Sequence, residues 1–374
     1  MGGTALNELK KTPLHPLHLE LKAKMAPFAG YHMPVHYSGG IKREHLHTRA
    51  QASLFDVSHM GQLMMGGESC REVLEGLVPS DIVGLGHYRQ RYTVFTNEAG
   101  GILDDLMVID LGESLFMVVN AACTDRDLRY LNGYEGPGFR VQPLPNLALL
   151  ALQGPAAPQV LQRFAPNTDT LAFMSARRFR IASQDCIVSR CGYTGEDGFE
   201  ISVPALAAER LGRMLLDNPE VEPAGLGARD SLRLEAGLCL YGQDLTEQTT
   251  PVEARLDWVI GRSRRPGGTR AGGFPGARVL FEQIAQGPDT VRVGLQPEGK
   301  APVRHDVELV DEYGNRVGAV SSGGYSPYLD RPVAMGYVNS AQAAPGTPLW
   351  TRRRGQLLSV TVVELPFVAH RYRR

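Results

Sequence analysis

Between Ser263 and Ala277 the chain carries Pro266, Gly267, Gly268, Gly272, Gly273, Pro275 and Gly276 among arginines. Residues that lack a side chain or a backbone donor cannot sustain a helix or a strand at that density, so residues 263–277 are expected to form a linker. The two sides of the break differ in kind. Before it, Lys42 to Ser53 read as a helix with Leu46 and Ala50 on one face, and Val57 to Met65 as an apolar strand. Ala205 to Asn218 read as an amphipathic helix with the stripe Leu211, Met214 and Leu215, and Ala228 to Ala236 as a short helix stopped by Gly237. After it, short strand signals dominate at Val291–Leu295, Val307–Val310, Val317–Ser321, Val333–Val338 and Leu357–Leu365, with a hairpin turn at Glu312-Tyr313-Gly314-Asn315. These features predict an α+β part followed by a small β-barrel or jelly roll. A chain of 374 residues exceeds what one hydrophobic core usually supports, and a hydrophobic fraction of 43% is ample for two or three.

A formal net charge of -1 gives no overall field to attract nucleic acid or anionic lipid, so neither is expected as a partner. Arg352 to Arg354 and Arg371 to Arg374 are local exceptions and read as solvated surface. Cys70, Cys123, Cys186, Cys191 and Cys239 form no CxxC pair and no even framework, as expected for reduced thiols of an intracellular protein. No apolar run approaches a membrane span, and Met1 to Lys11 lacks the apolar core of a signal peptide.

Chemistry is concentrated in a few runs. In Gly100-Gly101-Ile102-Leu103-Asp104-Asp105-Leu106-Met107-Val108, two acids sit between a glycine turn and an apolar strand. Strand alternation sets Asp105 with Leu103 and Met107 and Asp104 with Ile102 and Leu106, so both acids share apolar faces. At least one carboxylate must then meet a partner, a ligand or a cleft, unless the pair merely caps a turn. A second run, Cys191-Gly192-Tyr193-Thr194-Gly195-Glu196-Asp197-Gly198-Phe199-Glu200, describes a tight loop entering a strand. Its glycines lack the helix start of a dinucleotide fingerprint. His45, His47 and His59 do not have the spacing of a helical metal-ligand pair, and no metal is expected. Arg233, one turn from Arg229, reads as an ion-pair partner of acids such as Asp230.

Together with Gly227 to Leu238, Thr249-Thr250-Pro251-Val252-Glu253-Ala254, Ser53 to Met60, Pro366-Phe367-Val368 and Tyr372, these runs resemble the T-protein family of the glycine cleavage system, over nearly the whole chain. The resemblance implies a multidomain α+β fold with antiparallel sheets around a central folate cavity. It divides the chain into a discontinuous first domain (1–55 and 140–262), a second (56–139), the linker, and an all-β domain (278–374). It implies transfer of an aminomethyl carbon from the lipoyl arm of H-protein to tetrahydrofolate as co-substrate, in the cytoplasm of a bacterium or the mitochondrion of a eukaryote. Asp105 matches the family's catalytic aspartate, and Asp104 is then a structural neighbour. Glu200 matches the pterin-binding acid, Arg229 and Tyr372 match ligand-binding positions, and Met60, Tyr92, Asn120 and Tyr193 resemble residues lining the cavity. The alternatives are a folate-binding regulatory or assembly protein that lost the reaction, which Asp105 disfavours, and a demethylating enzyme acting on dimethylglycine or sarcosine, whose added flavin domain 374 residues do not accommodate.

Overall fold

The computed structural model of the protein describes residues 9–353 and 356–373, so the first eight residues of the Met1 to Lys11 segment, Arg354 and Arg374 lie outside the description. Two antiparallel sheets form the body. In the six-stranded sheet the order is Ser175–Ile181, Gln184–Arg190, Gly198–Pro204, Leu147–Gln153, Ala52–Asp56 and Val221–Pro223, the last pair running parallel. The five-stranded sheet has the order Gln90–Thr96, Ile102–Asp110, Ser114–Val119, Gly61–Gly66 and Arg140–Pro143. Arg140–Pro143 thus pairs with Gly61–Gly66, carrying the second sheet a few residues past 139, where the sequence division ended that domain.

Each sheet buries one face under helices. Leu211 and Leu215 of Ala205–Leu216 and Leu161 of Ala157–Gln162 cover the six-stranded sheet, while Leu74 of Cys70–Glu75 and Leu131 of Thr124–Asn132 cover the other. Met214 sits off the expected stripe and is only half-buried. The opposite faces of the two sheets share a cluster in which Phe55, Leu149 and Ala151 meet Ile109 and Phe116. Leu232 of helix Leu226–Glu235 closes that cluster, and Leu234 of the same helix packs on Val333 and Met335 of the C-terminal domain.

Two local expectations fail. The helix Gly40–Ala50 stops before Ser53 and buries Glu44, His45, Thr48 and Arg49, leaving Leu46 and Ala50 exposed. A polar face wins because it meets a polar network: Arg49 pairs with Glu196 at 2.9 Å and Glu235 at 2.8 Å, and His45 reaches Glu235 at 3.0 Å. The strand expected over Val57 to Met65 is broken. A turn at Val57 to Met60, closed by the Met60 N–H on the Val57 carbonyl, separates Ala52–Asp56 from Gly61–Gly66.

The C-terminal strands close into a barrel in the order Thr290–Pro297, Arg331–Asn339, Arg316–Ser326, Glu308–Val310, Pro348–Arg353 and Gln356–Val363. Of these, Pro348–Arg353 is the strand that the sequence signals did not show. Asp311 forms the expected hairpin turn by accepting from the Tyr313 and Asn315 N–H groups at 3.0 and 2.8 Å. The glycine-rich segment before the barrel is held down: Arg264 pairs with buried Glu75 at 3.2 Å and Arg270 with Glu75 at 2.7 Å.

Candidate active site

Gly100 and Gly101 set the approach of the acidic strand. Gly100 has φ of +82°, and a Cβ on Gly101 would lie 1.8 Å from the Glu247 carbonyl oxygen, so this turn requires glycine. The Ile102 N–H then donates to the carbonyls of Thr246 and Thr249, pinning the strand to the segment before Thr250. A bulge at Leu103 leaves Asp104 opposite Phe95 and Asp105 opposite Val94, and bulges of this kind re-aim side chains beside sites. The expected alternation holds from there. Asp104 is buried with Leu106 and Val108, and Asp105 is half-buried with Met107.

Asn120 joins the two acids. Its side-chain amide lies 2.8 Å from Asp104 Oδ1 and 2.7 Å from Asp105 Oδ1, and its backbone N–H donates to Asp104 Oδ2 at 3.1 Å. The Tyr92 hydroxyl donates to Asp105 Oδ2 at 3.0 Å. Burial first, and the charge of Asp104 second, push the Asp105 carboxyl up to about 7. Such a group changes charge near neutral pH, as an acid or base in catalysis must.

From Asp105 the polar residues continue across the inter-sheet space. Tyr193 lies near enough to Asp105 and Arg229 to feel both charges, and its hydroxyl donates to the Cys239 carbonyl. The Arg229 guanidinium stands 4.8 Å from the centre of the Tyr193 ring, and its Nη1 is shielded from solvent with no hydrogen-bond partner among the described residues. Burial lowers its proton affinity, against the pull of Glu200. Glu200 accepts from the Cys191 thiol at 3.4 Å. Tyr372 stacks on Phe173 at 4.2 Å, its phenol pushed up to about 12 by burial first and Cys191 next. Met60 sits on the turn between the sheets and packs against their shared cluster. Every residue expected at the site is half-buried, none sealed in a core and none on open surface. A row of half-buried polar groups, one of them a guanidinium whose shielded Nη1 has no partner among the described residues, is suited to hold a flat polar ligand.

Sequence reasoning missed Asp127 behind Asp104, the Cys191 contact with Glu200, and Trp258, whose ring lies 5.5 Å from that of Tyr92. A signal for Asp127 existed, since it shares the inward face of its helix with Leu131 four residues on. Among the described residues no group of three or more His, Cys, Asp or Glu is arranged to hold a metal, and no helix is long and apolar enough to cross a membrane. Arg352, Arg371 and Arg373 are exposed, although Arg371 also pairs with Glu196 at 3.2 Å.

Residues 14–264 match the family model of the GCVT N-terminal domain and residues 291–369 that of the glycine cleavage T-protein C-terminal barrel domain. The chain belongs to the glycine cleavage T-protein family. It is similar to the mitochondrial aminomethyltransferase of Dictyostelium discoideum, 45% identical over 98% of this chain and 94% of that protein. The human mitochondrial aminomethyltransferase is 45% identical over 97% and 91%. The crystal structure of glycine cleavage system aminomethyltransferase T from Bartonella henselae superposes with a TM-score of 0.93 at 43% identity, over 98% of this chain and all of that one. This T-protein family member is therefore an aminomethyltransferase, with the α+β body and closed C-terminal barrel of its family.

Proposed function

We propose that the protein transfers the aminomethyl carbon from the lipoyl arm of H-protein to tetrahydrofolate, which is the co-substrate. The observation that carries this reading is Asp105, a half-buried carboxylate held by Tyr92 and Asn120 with a proton affinity near neutral, at one end of the row that reaches Arg229 and Glu200. In the reaction the sulfur–carbon bond breaks, a folate nitrogen bonds to the carbon, the carbon–ammonia bond breaks and a second folate nitrogen closes the ring. The two folate N–H protons end on sulfur and on ammonia, leaving dihydrolipoyl protein, ammonia and 5,10-methylenetetrahydrofolate. Positive charge develops on the carbon as its sulfur leaves. A fixed carboxylate in a partly dry site stabilises that charge and accepts a proton as the folate nitrogen bonds.

In this reading Glu200 receives the donors of the pterin ring, Arg229 and Tyr372 hold the polar or carboxylate-bearing parts of the folate, and Tyr193 and Met60 line the space between. Ammonia release from aminomethylated H-protein, with and without tetrahydrofolate, tests the whole assignment. A strong dependence on folate is expected, and equal rates would overturn it. Glu200→Gln should weaken folate binding by about 1.5 to 3 kcal/mol, the contribution of a hydrogen bond to a charged group. Titration calorimetry on the variant checks this, and unchanged affinity would remove Glu200 from the folate site.

A further inference from the structure

Asp127, on the helix Thr124–Asn132, is 1% exposed and has no part in the transfer as described above. Its Oδ2 has no hydrogen-bond partner among the described residues. The charged and titratable groups around it are few. Arg126, its neighbour on the helix, comes no closer than 3.9 Å to Oδ1. That guanidinium is engaged elsewhere, donating to the Leu103 carbonyl, to Cys123 Sγ at 3.2 Å, to the Tyr241 hydroxyl at 3.0 Å and to Glu247 Oε1 at 2.6 Å. From the strand side come Asp104, within hydrogen-bonding reach, and Asp105 beyond it. The Cys123 thiol also reaches Asp104 and stays protonated, pushed up to about 12 by burial first.

Two buried carboxylates lie within hydrogen-bonding reach of each other here, and since a carboxylate has no donor, a bond between these two needs a proton on one of them. A buried carboxyl pair in contact does not hold two charges. Asp104 already accepts two hydrogen bonds from Asn120, whereas Asp127 Oδ2 accepts none among the described residues and Oδ1 has only Arg126 at 3.9 Å. The proton therefore belongs on Asp127. Burial, then the charge of Asp104, push the Asp127 carboxyl up to about 9, in the same direction.

We infer that Asp127 is a positioning residue: as a neutral acid it donates to Asp104, which holds the Asn120 amide in the one orientation that also donates to Asp105. The chain of contact runs from the helix through Asp104 and Asn120 to Asp105, and every link but the first is a hydrogen bond of 3.1 Å or less. Without that donor Asp104 is held from the helix side by the Cys123 thiol alone, so the Asn120 amide loses part of its anchor. The inference rests on the reading that Asp105 serves the transfer, but it makes a claim about a proton that can be checked without turnover.

The test uses two variants of the full-length protein and one direct measurement. Asp127→Asn retains a donor and should keep kcat and the acid limb of its pH profile close to wild type. Asp127→Leu has a similar volume and no donor. Its kcat should fall by roughly 10- to 100-fold, the effect of a small misplacement of a reacting group, while KM for folate holds and the acid limb moves to higher pH. Carbon-13 NMR titration of aspartate carboxyls, assigned by difference with Asp127→Asn, should show Asp127 still protonated at neutral pH. An Asp127 carboxyl that titrates in the ordinary acid range overturns the inference, as does an Asp127→Leu protein with unchanged kcat and pH profile. Should Asp127→Leu fail to fold, the titration and Asp127→Asn decide, and a large kcat loss in the asparagine variant also overturns it. A protonated Asp127 in a protein whose ammonia release ignores folate would instead defeat the transfer reading while leaving the proton where it is placed here.

Discussion

Asp105→Asn is expected to yield a folded protein that still binds folate and to lower aminomethyl transfer by roughly 10² to 10⁴, the usual range for losing a positioned acid or base. The amide preserves the shape and the hydrogen-bonding contact with Tyr92 but carries no charge and accepts no proton. Stopped-turnover assays of ammonia release measure it, and wild-type kcat would remove Asp105 from the chemistry. The wild-type rate should itself rise as pH passes through about 7, because the carboxyl must be ionised to act and its folded-state affinity lies there. Stability should move the other way. A carboxyl held above its ordinary value binds its proton more tightly in the native state, so its favourable contribution, complete below the unfolded value, is lost as pH rises toward about 7. At pH 8 the asparagine variant should therefore melt no lower than wild type, a readout independent of catalysis. The same change at Asp104 should cost less activity, and an equal loss there would exchange the roles of the two acids.

Arg233→Ala should be the most damaging of the substitutions outside the site. Arg233 was expected to pair with Asp230, and does so at 2.8 Å, but its deeper partner is Asp244 at 2.7 Å, with both side chains almost wholly buried. Ser321 and Ser322 of the barrel donate to the same Asp244 carboxylate at 2.5 and 2.8 Å, and Arg233 reaches Ser322 Oγ at 2.9 Å. Removing the guanidinium leaves a buried anion whose remaining donors are neutral. The expected loss is about 3 to 5 kcal/mol, the scale for breaking one side of a buried ion pair. A shift of the urea midpoint measures it. A change of no more than about 1 kcal/mol would place the pair with exposed ones that contribute little.

Much of the fold was legible because apolar periodicity carried it. Leu211 and Leu215 face the core as their spacing requires, Gly237 stops its helix with φ of +66°, and the Asp311 turn lies where the glycine and asparagine put it. The helix Gly40–Ala50 was misread for a physical reason. Its buried face is polar, and nothing in a local window reveals that Glu196 and Glu235 come from far along the chain to neutralise it. The break at Ser58 to Met60 was hidden likewise, since the Ser58 N–H finds Asp56 Oδ1 at 2.9 Å through a side chain that a strand pattern does not count. At the site, Asp105, Tyr92 and Asn120 form one hydrogen-bonded group, and Tyr193, Arg229 and Glu200 adjoin it. What stayed out of sight were the residues behind them, Asp127 behind Asp104 and Cys191 against Glu200, because contacts between side chains of different elements leave no local pattern.

The stacking of Tyr372 on Phe173, with the Phe173 N–H donating to the Arg373 carbonyl, gives the site a birth order. A ribosome delivers the strands of both sheets, the last of which ends at Pro223, long before it delivers Tyr372, so that ring reaches Phe173 only after the body has been made. Nascent chains stalled before residue 366 should therefore carry Asp105 in place yet grip folate poorly, and affinity measured on released and stalled chains would show the step. Synthesis itself would then act as the safeguard that keeps a half-made enzyme from taking up its substrate.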